Sequence, residues 1–393
     1  MVCARPGTRA PAACDGSVSR SSHRVAMVST NRVYHPRGHH LLAVGLADAG
    51  FDVVDVGFTA KGRTAPAALG VAVSEVSPPR RRVMRIALGP LWLLRAYRLR
   101  PSLVQVNSLE LLPWAVLARA LFGIPTLYDS REDYAGYALL AGWIPRRLRP
   151  VVSRIVGRVE PWLARRVDAV TTADAGTAER FRGGRSVTTV HNFPRRPLHP
   201  PDPREIAYDV VYHGTVSRYH VEQLVAVAET LARRGRTLRW CLAVLDCGTA
   251  ERRRLERRLA ESGLRGSFTL RYDVPHETIP SLLASCRLGL VPLPDEPKFR
   301  RNIPMKLFEL LAAGKPAVVS DLPPIRELVG EEDCCALVPA GDTNAYADAI
   351  AALVDDDTRA EQMGERGRAL IAERLNAETE LRPYIDLCRH LIR

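Results

Sequence analysis

The residues best placed to do chemistry sit in Asn302-Ile303-Pro304-Met305-Lys306-Leu307-Phe308-Glu309-Leu310-Leu311-Ala312-Ala313-Gly314. Lys306 and Glu309, three apart, share one face of a predicted helix that is otherwise almost wholly apolar. Pro304 suits the first helical position and Gly314 the stop. Ile303, at the cap, offers no side-chain acceptor, so the amides of Met305 and Lys306 are expected to stay open and to attract an anion. A cation in the first turn opposes the helix dipole unless an anion sits there. The alternative is an ordinary ion pair on a solvated edge.

Three other places carry candidate groups. Gly214-Thr215 is a short turn between a predicted strand and helix, with Arg218 one turn further, where backbone amides could meet phosphate; a tight turn explains it equally. Asn107 and Asp129-Ser130-Arg131-Glu132-Asp133 fall at the carboxyl ends of predicted strands, where ligands collect in open α/β sheets. Substrate binding and turn or cap chemistry both account for that acidic run. The D-x-D pattern at Asp355–Asp357 lies between two helices and reads as cap and turn, so no metal site is expected.

The elements that must position these groups alternate strand and helix. Strands are predicted over Arg24–Thr30, Phe51–Val56, Leu103–Asn107, Pro125–Tyr128, Val167–Thr172 and Val187–Val190, and then over Tyr208–Tyr212, Leu238–Leu245, Ser267–Arg271, Arg287–Pro292, within Lys315–Asp321 just after the Lys306 helix, and over Ala336–Val338. A polar loop over Asn31–His40 contains Gly38 but no G-x-G-x-x-G, which argues against a nicotinamide dehydrogenase. Prolines at 194, 197, 200, 201 and 203 mark a connector. The expected organisation is a disordered tail over 1–22, an α/β domain over 23–197, a second over 198–365, and C-terminal helices over 366–393 that could return to the first domain.

Charge is uneven. Residues 1–200 hold 29 Lys and Arg against 13 Asp and Glu, while residues 201–393 hold 27 against 30. A basic half suggests an anionic partner such as lipid headgroups, a lipid pyrophosphate or nucleic acid. An arginine bias in composition is the competing account, since only four of the 56 basic residues are Lys. Pro78–Arg100 mixes Arg with Trp and Leu and could lie on an anionic membrane, or be a basic-rimmed helix packed on the sheet. No apolar run is long enough to span a bilayer. The eight cysteines show no metal spacing, and Cys334-Cys335 reads as two small core residues. Free thiols and the absence of an export signal lead to an expected cytoplasmic location, free or peripheral at the inner membrane face.

From about residue 24 to 393 the chain resembles the group 1 family of retaining nucleotide-sugar glycosyltransferases, which have two facing Rossmann-like domains (the GT-B fold). The resemblance is carried above all by Asn302–Gly330, with support from His213–His220, Gly289–Pro294 and Tyr128–Tyr134. It implies that Glu309 binds the nucleotide's ribose and that Lys306 and Arg218 hold the donor diphosphate beside Gly214 and Thr215. Asn302, Ile303, Pro304 and Met305 would face the donor sugar and phosphate. Gly38, Asn107, Arg131 and Glu132 would lie on the acceptor or sugar side. The implied reaction moves a sugar from a UDP- or GDP-linked donor to a glycan or polyprenyl-pyrophosphate-linked acceptor, with retention at the anomeric carbon and no metal. The chain departs from the family pattern in three places. Arg301 stands eight positions before Glu309, where a glutamate is usual; Arg131 replaces a histidine; and Asn107-Ser108 replaces a His-Asp. Those departures motivate an alternative, a catalytically degenerate sugar-nucleotide-binding protein. Nucleic acid is not expected as a partner, because basic and aromatic residues do not interleave.

Overall fold

The computed structural model describes residues 23–33, 35–58, 70–76, 83–183, 186–195, 205–297, 299–301 and 303–393. The expected tail, the Arg80-Arg81-Arg82 run, residues 196–204 of the connector and Asn302 lie outside the described residues.

Seven parallel strands form the first sheet: β1 (Arg24–Arg32), β2 (Asp52–Phe58), β3 (Val71–Glu75), β4 (Leu103–Val106), β5 (Thr126–Ser130), β6 (Ala169–Thr172) and β7 (Ser186–Thr189). Their order is β3-β2-β1-β4-β5-β6-β7. β3 is the strand that sequence pattern missed; it is a half-exposed edge, so its side chains lack the apolar run of a central strand. Strand side chains alternate between two cores, Ala26 and Val28 on one face, Val25 and Met27 on the other. The first face is covered by α1 (Gly89–Tyr97), α2 (Leu112–Phe122) and α4 (Arg149–Ala164), through Trp92, Leu93, Leu112, Ala115, Leu163 and Ala164. α3 (Tyr134–Leu140) packs against α4.

The stretch over 31–40, expected as a loop, is helical from Pro36: a π-helical run, Pro36–Ala43, leads into Val44–Asp48. The reason is burial. Arg37 and His39 point inward to Asp129 and Asp55 and are almost fully covered, so this stretch is not a solvent loop.

The second sheet has β8 (Tyr208–Thr215), β9 (Trp240–Asp246), β10 (Phe268–Tyr272), β11 (Cys286–Val291), β12 (Ala317–Ser320) and β13 (Cys335–Val338), all parallel, in the order β10-β9-β8-β11-β12-β13. α5 (Arg218–Arg233) follows β8, and α6 (Met305–Ala312) precedes β12. Cys334 and Cys335 are buried within this core.

The helix Asp357–Glu373 still packs on the second sheet through Leu370 and Ile371. The chain crosses back only beyond it, where the Ala377 amide donates to the Pro194 carbonyl at 2.8 Å. α7 (Arg382–Ile392) then buries Tyr384 and Cys388 in the first domain's core, and the Tyr384 hydroxyl donates to Gln105 Oε1 at 2.6 Å. Two Rossmann-like sheets, their strand ends beside one cleft and tied by a returning C-terminal helix, make the α/β GT-B architecture.

Candidate active site

β8 and α6 build the second domain's side of the cleft. α6 begins one residue later than sequence spacing suggests. Pro304 has φ −78° and ψ 118°, so it is the extended cap and Met305 is the first helical residue. Proline's fixed φ suits either position, and it is ψ that assigns it outside the helix. Among the described residues no side chain caps this end, which keeps the open-amide reading after the shift. Gly314, with φ 67°, ends the element in the left-handed conformation that glycine adopts without strain. Ile303, Pro304 and Met305 are half-buried at the helix start.

Lys306 and Glu309 are not each other's hydrogen-bond partner. Lys306 Nζ donates to the Tyr212 hydroxyl at 2.8 Å and lies 4.2 Å from that ring's centroid. The Tyr212 hydroxyl in turn donates to the Thr215 carbonyl at 2.7 Å. Gly214, at φ 123°, is what lets the lysine lie across the turn. A Cβ there would stand 3.1 Å from Nζ in a backbone conformation side chains rarely adopt. Lysine, tyrosine and the Gly214-Thr215 turn are thus one assembly at the end of β8. Burial pulls the ammonium down to about 7, and the charge of Glu309 opposes that shift.

Glu309 is clamped by two histidines. His213 Nε2 lies 2.7 Å from one carboxylate oxygen and His276 Nε2 lies 2.6 Å from the other. An ionised carboxylate only accepts, so both ring nitrogens carry the proton. Burial alone would raise the carboxyl's pKa; the two histidine hydrogen bonds outweigh it and hold the group well below the usual carboxylate range. Each oxygen keeps a lone pair for a further donor.

α5 adds polar atoms that sequence reading did not single out. The Tyr219 hydroxyl, His220 Nε2 and Gln223 Nε2, on its first two turns, are buried with no hydrogen-bond partner among the described residues. Burial first, and the charge of Lys306 second, push His220 down to about 3, so it stays neutral. Orphaned buried polar atoms are rare and mark sites where a ligand or water completes the bonding. Arg218 opens α5, exposed, with no side-chain hydrogen bond or ion pair among the described residues.

Across the cleft, Gly38 lies against Asn107, whose Nδ2 would stand 3.3 Å from a Cβ built on the glycine. Asn107 is buried and accepts from Gln105 Nε2 at 2.8 Å. Arg131 is half-buried beside Tyr134, and Glu132 is half-buried next to it. The rest of that acidic run is structural. Asp129 forms a buried pair with Arg37 at 2.7 Å and accepts from Thr171. Asp133 caps α3 through the Gly136 amide and pairs with Arg180 at 2.8 Å. Asp355–Asp357 is also accounted for: Asp355 pairs with Arg236, Asp356 accepts from the Arg359 amide, and Asp357 pairs with Arg287.

Contacts among the described residues bridge the cleft. The rings of His40 and His276 lie 6.3 Å apart, centroid to centroid. Arg301 reaches over Gly176 to within 3.5 Å of Asp133. Position 301 therefore carries an interdomain contact here. His213, Tyr212 and His276 gave no sequence signal of their roles, because the hydrogen bonds to Glu309 span 96 and 33 residues.

Residues 207–356 match the family Glycosyl transferases group 1, and residues 37–192 match the Glycosyl transferase 4-like domain. An alpha-D-kanosaminyltransferase of Streptomyces kanamyceticus is 29% identical over 164 residues, which is 42% of this chain and 40% of that protein. The chain therefore matches well under half of that relative's length. Among solved structures, a sucrose-phosphate synthase of Thermosynechococcus elongatus superposes with a TM-score of 0.74 at 18% identity, covering 94% of this chain and 99% of the other. HepE of Anabaena, in complex with UDP and glucose, gives 0.71 at 17% identity, covering 94% and 100%.

Proposed function

We propose that this chain, which belongs to the group 1 glycosyltransferases, moves a sugar from a nucleotide-sugar donor held at α6 and β8 to an acceptor on the first domain. One observation carries the reading: an uncapped helix start, a lysine on its first turn and an ionised Glu309 converge beside the Gly214-Thr215 turn. The donor diphosphate would sit at the open amides and Lys306, with Arg218 as a second cation. The ribose hydroxyls would donate to the free lone pairs of Glu309. Departure of a nucleoside diphosphate builds negative charge, which fixed donors of this kind stabilise. A structural relative crystallised with UDP and glucose supports a nucleotide sugar as donor.

Transfer proceeds with retention, the leaving phosphate taking the acceptor's proton on the same face. Gly38, Asn107, Arg131 and Glu132 would meet donor sugar or acceptor. The basic first half favours an anionic acceptor, a glycan or a polyprenyl-pyrophosphate-linked one, used by a cytoplasmic protein at the inner membrane face. A hydrolysis and transfer assay over UDP- and GDP-linked sugars tests the reading. Lys306→Ala should lower turnover by roughly 10²–10³, as for loss of one transition-state donor. Unchanged turnover in a folded variant would sink the diphosphate assignment. Nucleotide binding without hydrolysis or transfer would favour a binding protein instead.

A further inference from the structure

All fifteen exposed large apolar side chains among the described residues fall between Met84 and Trp162. Eleven of them sit on one helical layer, in which α1 packs on α2, α2 on α4 and α4 on α3, and the other four lie in the short segments that lead into α1 and α4. α4 shows the pattern best. Val151, Ile155, Val159 and Trp162, spaced four, four and three, form a solvent-facing stripe, while Glu160, Leu163 and Ala164 face inward. That inverts an ordinary amphipathic surface helix, whose apolar stripe is the covered one.

The charge on this layer has one sign. Arg147, Arg154 and Arg158 are exposed beside the stripe, and none has an ion pair or hydrogen bond among the described residues. Arg166 stacks 3.6 Å from the Trp162 ring. Between residues 83 and 166 there are 13 arginines and five acids, and no acid there is exposed. We propose that this helical layer docks on an anionic lipid surface, with the apolar stripes entering the headgroup region and the arginines meeting lipid phosphates. A second copy of the chain would set arginine against arginine. The longer stretches outside the described residues (1–22, 59–69, 77–82 and 196–204) each carry more Lys and Arg than Asp and Glu, which unfits them to cover the face. The layer includes α3, which follows Arg131 at the cleft. On the transferase reading above, and resting on it, this sets acceptor entry beside the bilayer.

Co-sedimentation without nucleotide tests docking separately from donor chemistry. Wild-type protein should partition onto phosphatidylcholine vesicles doped with phosphatidylglycerol and not onto pure phosphatidylcholine, and should weaken at high salt. Ile155→Glu/Trp162→Glu should lower partitioning roughly 10²-fold through lost apolar insertion and added negative charge. Arg253→Gln/Arg257→Gln, an equal charge change on the exposed face of the second domain, should leave it unchanged. Both variants must keep the wild-type melting temperature, which these exposed positions allow. No partitioning of wild type, equal partitioning of the stripe variant, or a concentration-dependent dimer that the stripe variant abolishes would each overturn the proposal.

Discussion

Lys306 should couple donor binding to proton uptake. Without a donor, burial holds its ammonium at about 7. A diphosphate within contact distance would return it toward the ordinary lysine range, because a nearby opposite charge favours the charged form. The sign then follows: the complex binds more protons than the free protein, so affinity falls as pH rises past 7. With a free value near 7, nucleotide-sugar affinity should drop about tenfold between pH 6 and pH 8, with about 0.9 proton taken up per ligand at pH 8. The ligand should be a nucleotide sugar, since its diphosphate diester has no ionisation in this range and a free nucleoside diphosphate does. Titration calorimetry in phosphate and in Tris, which differ in ionisation enthalpy, reads the proton count directly. Lys306→Met should give a flat profile. Without a donor the protein carries the mirror effect: a lysine whose folded value lies below its unfolded one makes stability rise with pH from about 7 to about 10.5, a rise the methionine variant lacks. A flat wild-type affinity profile, or an equal slope in Lys306→Met, would refute the placement of the diphosphate.

Three substitutions and one pH dependence follow from the geometry. Glu309→Gln presents one acceptor and one donor to two histidine N–H groups, so it should cost roughly 2–3 kcal/mol of stability by denaturant unfolding and weaken nucleotide binding. Because Glu309 is held below the carboxylate range, the stability it contributes is present above about pH 4.5 and is lost as pH falls further. Arg37→Leu leaves Asp129 buried without its cation and should cost about 3–5 kcal/mol, measured the same way; a near-neutral change would mean water reaches that pair. Arg301→Glu sets like charge against Asp133 across the cleft and should increase the radius of gyration in small-angle scattering and raise KM for the donor. An unchanged scattering curve would show that this contact does not hold the domains together.

What the sequence disclosed and what it hid divide along a physical line. Lys306 and Glu309 were legible because a helix places residues three apart on one face, whatever the rest of the fold does. The strands at 103–106 and 317–320 were legible because buried parallel strands are short apolar runs. His213 and His276 were not, since no local rule joins residues brought together by a strand end and a short helical turn. Arg37 was read as loop for a related reason: its partner lies 92 residues away, and an isolated arginine in a polar stretch reads as solvent-exposed. The α4 stripe misleads in the opposite sense. Four apolar side chains at helical spacing ordinarily announce a core face, yet here the smaller inward set of Glu160, Leu163 and Ala164 meets the domain. Glu160 is held there by the Tyr128 and Ser130 hydroxyls and by Arg180, so a charged residue shares the covered side with Leu163 and Ala164 while four apolar residues lie on the open one. A helix that gives up the usual pairing of apolar with inside must be matched by something outside it, and the unpaired arginines along its edge state the charge of that match.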